Sequence, residues 1–214
     1  MTVSHKDFKG RRSVITGLGV AGMTLAATAV QAQSSRRAAA GFQPARHDLD
    51  AWMNEIPGSH RIFVDTASAN GGIDALRYAT NIYNAHVNAY AGAQADLAMI
   101  VCFRHFSTPL GFNEALWEKY GDGFQQVMNA SRRIEPPKSG ITINSLTAMG
   151  ARFAICNTAT QFIASSLAQA SGASFDDVYQ ELLAGGIANS RFVPAGVMAL
   201  TRAQEYGYSV LAAA

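Results

Sequence analysis

This chain has little of what common catalytic signatures are built from. It carries two cysteines in 214 residues, Cys102 and Cys156. A small secreted scaffold stapled by disulfides carries more. No Cys-x-x-Cys-His is present for covalent haem, and no Cys-x-x-Cys for a thioredoxin-type pair. The Gly-x-Ser-x-Gly elbow of hydrolases and the His-Glu-x-x-His of zincins are missing too, which disfavours both classes. Strong apolar runs of the roughly 20 residues needed to span a bilayer are also lacking. The segment 14–30 is rich in Gly, Ala and Thr and makes a poor anchor.

What is present begins with an address label. Lys6, Lys9, Arg11 and Arg12 precede that weakly apolar run, and Val30-Gln31-Ala32 supplies the small residues of a cleavage site. The adjacent Arg11-Arg12 is a twin-arginine signature. It departs from the usual form in having Gly10 in place of Ser or Thr, and Val14-Ile15 in place of Phe-Leu. The expectation is a signal peptide over 1–32, a polar tether over 33–58 and one domain over 59–214, exported to the periplasm with no stable membrane insertion after cleavage. Taking Lys6, Lys9, Arg11, Arg12 and Asp7 out of the 17 basic and 15 acidic residues turns a net charge of +2 into about −1. The apparent basicity belongs to the label, and no nucleic-acid surface is expected.

Along the domain, short apolar runs alternate with helical spacing. Strands are expected over 61–65, 96–103, 152–157, 192–193 and 208–211. The unbroken run Asp96-Leu-Ala-Met-Ile-Val-Cys-Phe103 reads as a strand buried on both faces. A short helical piece near 49–56 lies inside the tether. Helices are expected over 73–87, after a turn cluster at 68–72, then over 111–129 with Asn113 as N-cap, over 160–171, over 174–183, and over 197–206 with Gly207 ending it. The stretch 132–144 reads as a connector. Such alternation predicts an α/β three-layer domain around a mostly parallel sheet, with ligands outside the carboxyl ends of the strands.

That rule selects the candidate residues. The first strand end offers Asp65 and Ser68, the second Cys102 and His105, the third Cys156 and Asn157. Cys156 ends an apolar run just before a helix, where backbone N–H groups favour the nucleophilic thiolate. Equally, free cysteine is among the most buried residue types, and Cys102 sits deeper in its run. A disulfide between them needs Cα atoms within about 7 Å. His105 suits an acid–base role; with Cys102 it could also share a soft metal, although two ligands do not make a site. Gly71-Gly72 fits a turn, or an anion cradle at a helix start. His60 and His86 have no evident partners. No resident cofactor or metal is expected.

Phe153-Ala-Ile-Cys156-Asn157-Thr158 resembles the cysteine-bearing strand end of the DsrE/DsrF-like family. Phe192-Val-Pro194-Ala195-Gly196-Val197, followed by Gln204-Glu205-Tyr206-Gly207-Tyr208, resembles its C-terminal signature. The resemblance covers roughly 60–212. It implies a largely parallel sheet of about five strands and homo-oligomers, often trimers or hexamers. In the sulfur-relay members a strand-end cysteine carries persulfide sulfur and exchanges it with a donor or acceptor protein; Cys156 matches that position. Those members are cytoplasmic, and their second nearby cysteine is missing here. The implied function is sulfur or thiol handling through Cys156, with His105 moving protons. The alternatives are a non-enzymatic module that binds a small molecule or metal, and a structural oligomer subunit with inert cysteines.

Overall fold

The computed structural model describes residues 43–214. The expected signal peptide and the first part of the tether lie outside the described residues. Five strands form one sheet: β1 (His60–Thr66), β2 (Leu97–Phe103), β3 (Arg152–Cys156), β4 (Ser190–Val193) and β5 (Ser209–Ala213). Their spatial order is β4-β3-β2-β1-β5. Every pairing is parallel. The sheet is thus fully parallel where a mostly parallel one was expected.

Among the described residues seven α-helices accompany it: α1 (Trp52–Glu55), α2 (Ala69–Ala89), α3 (Glu114–Met128), α4 (Ile143–Ala148), α5 (Asn157–Ser171), α6 (Phe175–Ala184) and α7 (Gly196–Glu205). The steps from β1 to β4 move one way across the sheet, and the step to β5 returns past β1. With one hand of crossover throughout, α7 must lie on the face opposite α2 to α6. Burial follows that division. Val64, Met99, Val101, Phe103 and Phe153 pack beneath α2 and α4, and Ile155 beneath α3, α5 and α6. Phe63, Ala98, Ile100, Cys102 and Ala154 face α1 and α7. The period-2 alternation of strand side chains produces the split. The result is a three-layer α/β domain.

Several boundaries shift from the sequence expectation for identifiable reasons. The second half of the expected tether belongs to the domain: Trp52, Met53 and Ile56 are buried in the second face, and the Tyr208 hydroxyl donates to the Met53 carbonyl at 2.7 Å. The turn cluster at 68–72 is the first turn of α2. Ser68 caps it, accepting from Gly71 N–H at 2.9 Å. A Cβ on Gly71 would collide with the Ala213 carbonyl, and one on Gly72 with Leu110. The two glycines therefore allow close packing, and their N–H groups bond to Ser68 Oγ and the Ser68 carbonyl. The connector runs into α4, capped by Thr142. Asn113 does cap α3, accepting from Leu116 N–H at 3.0 Å. Gly207, at φ 81°, ends α7 in a Schellman arrangement, with Gly207 N–H bonded to Gln204 and Tyr208 N–H to Ala203. No described helix is long and apolar enough to cross a membrane.

The two histidines without evident partners meet each other. Their rings make an edge contact at 5.2 Å between centroids, and His86 Nε2 lies 3.4 Å from Asp96.

Tyr83 of α2 is fully buried, and its hydroxyl has no partner among the described residues. Burial pushes its pKa up to about 12, against an opposing pull from Arg152. A proton held more tightly in the folded state stabilises fully below the ordinary tyrosine value of 10.0 and is lost as pH climbs to about 12. Tyr83→Phe removes an unsatisfied buried hydroxyl. Its stability at neutral pH should fall within about 1 kcal/mol of the parent or above it, and its alkaline loss should be shallower. Urea denaturation at neutral pH and across the alkaline range checks both.

Candidate functional site

The carboxyl ends of β1, β2 and β3 converge on one ion pair. Arg104, the residue after β2, donates from Nε to Asp65 Oδ1 at 2.8 Å and from Nη2 to Oδ2 at 2.7 Å. Asp65 is buried, and the Arg104 side chain is 17% exposed. A bidentate fork of this kind fixes direction as well as charge. Hydroxyls hold the surrounding backbone. Thr66 donates to the Cys102 carbonyl at 2.8 Å and sits 2.7 Å from Ser107 Oγ. That oxygen also accepts from Arg104 N–H at 3.0 Å. Between them His105 takes a left-handed φ of 52°, uncommon for a side chain of its size. It opens a 3₁₀ segment, His105–Gly111.

Cys156 ends β3 and is the N-cap residue of α5. The helix was expected to start at 160; it starts at Asn157. Thr158 ties its first turn to the β4–α7 loop, donating to the Pro194 carbonyl from N–H at 3.2 Å and from its hydroxyl at 3.0 Å. Gly196 begins α7. A Cβ there would stand 2.6 Å from Arg104 Cβ and 3.2 Å from Cys102 Sγ. The Pro194-Ala195-Gly196 element thus has a packing reason: only glycine lets α7 approach the Arg104 stem and the first cysteine.

These elements enclose a cleft of about 270 Å³ lined by Arg104, His105, Phe106, Val127, Cys156, Thr158, Ala159, Phe162, Ala195, Gly196 and Val197. Cys156 is 5% exposed, lines the cleft, and has no hydrogen-bond partner for its thiol among the described residues. His105 is exposed at the rim. Cys156 and His105 therefore share the cleft, although no hydrogen bond joins them.

The remaining sequence candidates fall elsewhere. Cys102 is fully buried under α7. Burial pushes its thiol well up, the neighbouring Asp65 and Cys156 add to this, and Arg104 opposes it. Asp65 lies beneath the cleft and holds Arg104. Ser68 is committed to the α2 cap. Asn157 accepts from the Tyr179 hydroxyl at 2.8 Å and does not line the cleft. Both cysteines are free thiols. Among the described residues no group of three or more His, Cys, Asp or Glu side chains is placed to hold a metal ion. The soft-metal pairing of Cys102 with His105 fails because one is buried under α7 and the other is exposed at the rim.

Sequence reasoning missed Arg104, Phe106, Phe162 and Val197. A charge directly after an all-apolar strand was the available signal for Arg104. The exposed apolar side chains carried none that separates them from ordinary surface residues.

Fold and cleft together define an α/β protein with an unpartnered thiol at the carboxyl edge of a parallel sheet. No protein-family model matches the chain, and no curated protein matches it. Among solved structures it is similar to MTH1491 from Methanobacterium thermoautotrophicum, described as a protein of unknown function. The two are 16% identical over 72% of this chain and 99% of that one, with a TM-score of 0.39.

The two thiols should separate cleanly under native alkylation. Iodoacetamide should modify Cys156 and leave Cys102 untouched, and denaturant should make both react. Peptide mass spectrometry reads the two sites independently, and native labelling of Cys102 at the rate of Cys156 contradicts the assignment.

Proposed function

We propose that this chain is an exported DsrE-like protein that accepts sulfane sulfur on Cys156. One observation carries the proposal: a nearly buried thiol with no hydrogen-bond partner lines a cleft at the strand ends, at the start of a 15-residue helix. Backbone N–H groups at a helix start stabilise a thiolate, which is the form that attacks sulfur.

The step is an exchange without net oxidation. The Cys156 thiolate attacks the outer sulfur of a donor persulfide. A Cys156 S–S bond forms, the donor S–S bond breaks, and the donor leaves as thiolate. His105, at the rim, takes the Cys156 proton beforehand and returns it to the leaving sulfur. Cys102 stays protonated beneath α7 and takes no part. The protein acts in the periplasm as a homo-oligomer, a trimer or hexamer, and meets a sulfur donor or acceptor protein there.

Incubation with polysulfide should add the mass of one sulfur atom to the parent and to Cys102→Ser, and nothing to Cys156→Ser. A parent that gains no mass refutes the sulfur-acceptor reading. The export reading has its own test. Arg11-Arg12→Lys-Lys should leave the protein in the cytoplasm with its leader uncleaved, as fractionation and immunoblotting would show; unimpaired export removes the twin-arginine route.

A further inference from the structure

The sulfur-acceptor reading leaves the walls of the cleft unused. Phe106, Val127, Ala159, Phe162, Ala195 and Val197 line it, and all six are apolar. Polar side chains on the lining are engaged elsewhere. Thr158 donates its hydroxyl to the Pro194 carbonyl at 3.0 Å. Arg104 borders the cleft while forked to Asp65. His105 stands exposed at the rim. The Cys156 thiol therefore lines a cleft walled mainly by carbon.

We infer that the cleft selects sulfur donors whose body is small, apolar and uncharged: an alkyl or single-ring aryl persulfide in preference to one that carries carboxylate or ammonium groups. The inference rests on the Cys156 reading and adds a substrate class to it. Charge on the body is disfavoured twice. A charged group would give up water against apolar walls that return no hydrogen bond. An anionic group would also bring a like charge beside the attacking thiolate and disfavour its formation. Size limits the body as well. About 270 Å³ lies at the small end of ligand clefts, which suits a short chain or a single ring. Phe162 is 62% exposed, Val197 52% and Phe106 45%, which leaves apolar area for such a body to cover.

The preference can be read without any sulfur transfer. N-benzyl-iodoacetamide and iodoacetamide both alkylate the Cys156 thiolate by displacing iodide, and differ in the apolar ring. The ratio of their rates cancels the thiolate fraction. Dividing by the same ratio for 2-mercaptoethanol removes the intrinsic difference between the reagents. The normalised ratio at Cys156 should be about tenfold above one, as expected for partial burial of one ring. Phe162→Ser combined with Val197→Ser, two exposed positions whose loss spares the core, should bring it close to one. Protection supplies the second arm, in a His105→Asn background so that the imidazole adds no charge of its own. The uncharged 3-phenylpropionamide should slow alkylation of Cys156 by iodoacetamide at concentrations about tenfold below those of 3-phenylpropionate, which has the same shape and one negative charge.

A normalised ratio near one in the parent, or one that the double variant leaves unchanged, overturns the apolar seat and leaves the sulfur-acceptor reading standing. Protection by the carboxylate equal to or better than that by the amide overturns the preference for an uncharged body. A Cys156 that reacts with neither reagent in the native protein takes down both the inference and the reading beneath it.

Discussion

The bidentate pair between Asp65 and Arg104 is the constraint on which the edge of this sheet depends. It joins the ends of two neighbouring strands across 39 residues of sequence. Burying two charges costs several kcal/mol each in desolvation, and their attraction recovers this only with excellent geometry. The pair is therefore weak evidence for stability and better evidence for position. With its guanidinium held flat against the carboxylate, Arg104 has a fixed stem. The start of α7 packs on that stem at Gly196, and the 3₁₀ segment departs beside it through the Thr66 and Ser107 hydroxyls. A shift of this one side chain would move two walls of the cleft.

The two faces of the sheet are packed with different residues. Under α2, Phe103 and Phe153 stack with ring centroids 6.0 Å apart. Under α7, Ala98, Cys102 and Ala154 meet Ala199 and Ala203. Small residues on both sides bring the ten-residue α7 close to the strands, and Gly196 completes the approach at the carboxyl end. Cysteine suits such a face because it behaves as a small hydrophobe when buried. Cys102 is explained by that packing alone.

The strands were legible because a parallel sheet covered on both faces needs continuous apolar runs, and Leu97–Phe103 is buried at every position. Helix starts were less legible. Gly71 and Gly72 look like turn residues until the Ala213 carbonyl and Leu110 are seen against them. Cys156 is not a capping residue by type, so the start of α5 was placed too late. The rule of strand ends picked out Cys156 and His105, which line one cleft. It also swept in Ser68 and Asn157, whose polar groups serve a helix cap and the Tyr179 hydroxyl. Arg104 escaped because its meaning lies in a partner 39 residues away, a relation that no local pattern encodes.

Two buried thiols near one edge of the sheet differ in their surroundings through a difference of one strand and one residue pair. Cys102 pairs in register with Ala154, so Cys156 lies two residues further toward the carboxyl end on the next strand. Alternation puts both on the face of α7. Where Cys102 stands, α7 covers the strand; where Cys156 stands, the strand has ended and the chain has turned into α5. Burial without compensation makes a thiol keep its proton, and Cys102 follows that rule. Cys156 stands at the strand end, where the chain turns into α5, and lines the cleft. The same residue type is fully covered within a strand and lines a cleft at a strand's end, without any motif to announce the difference.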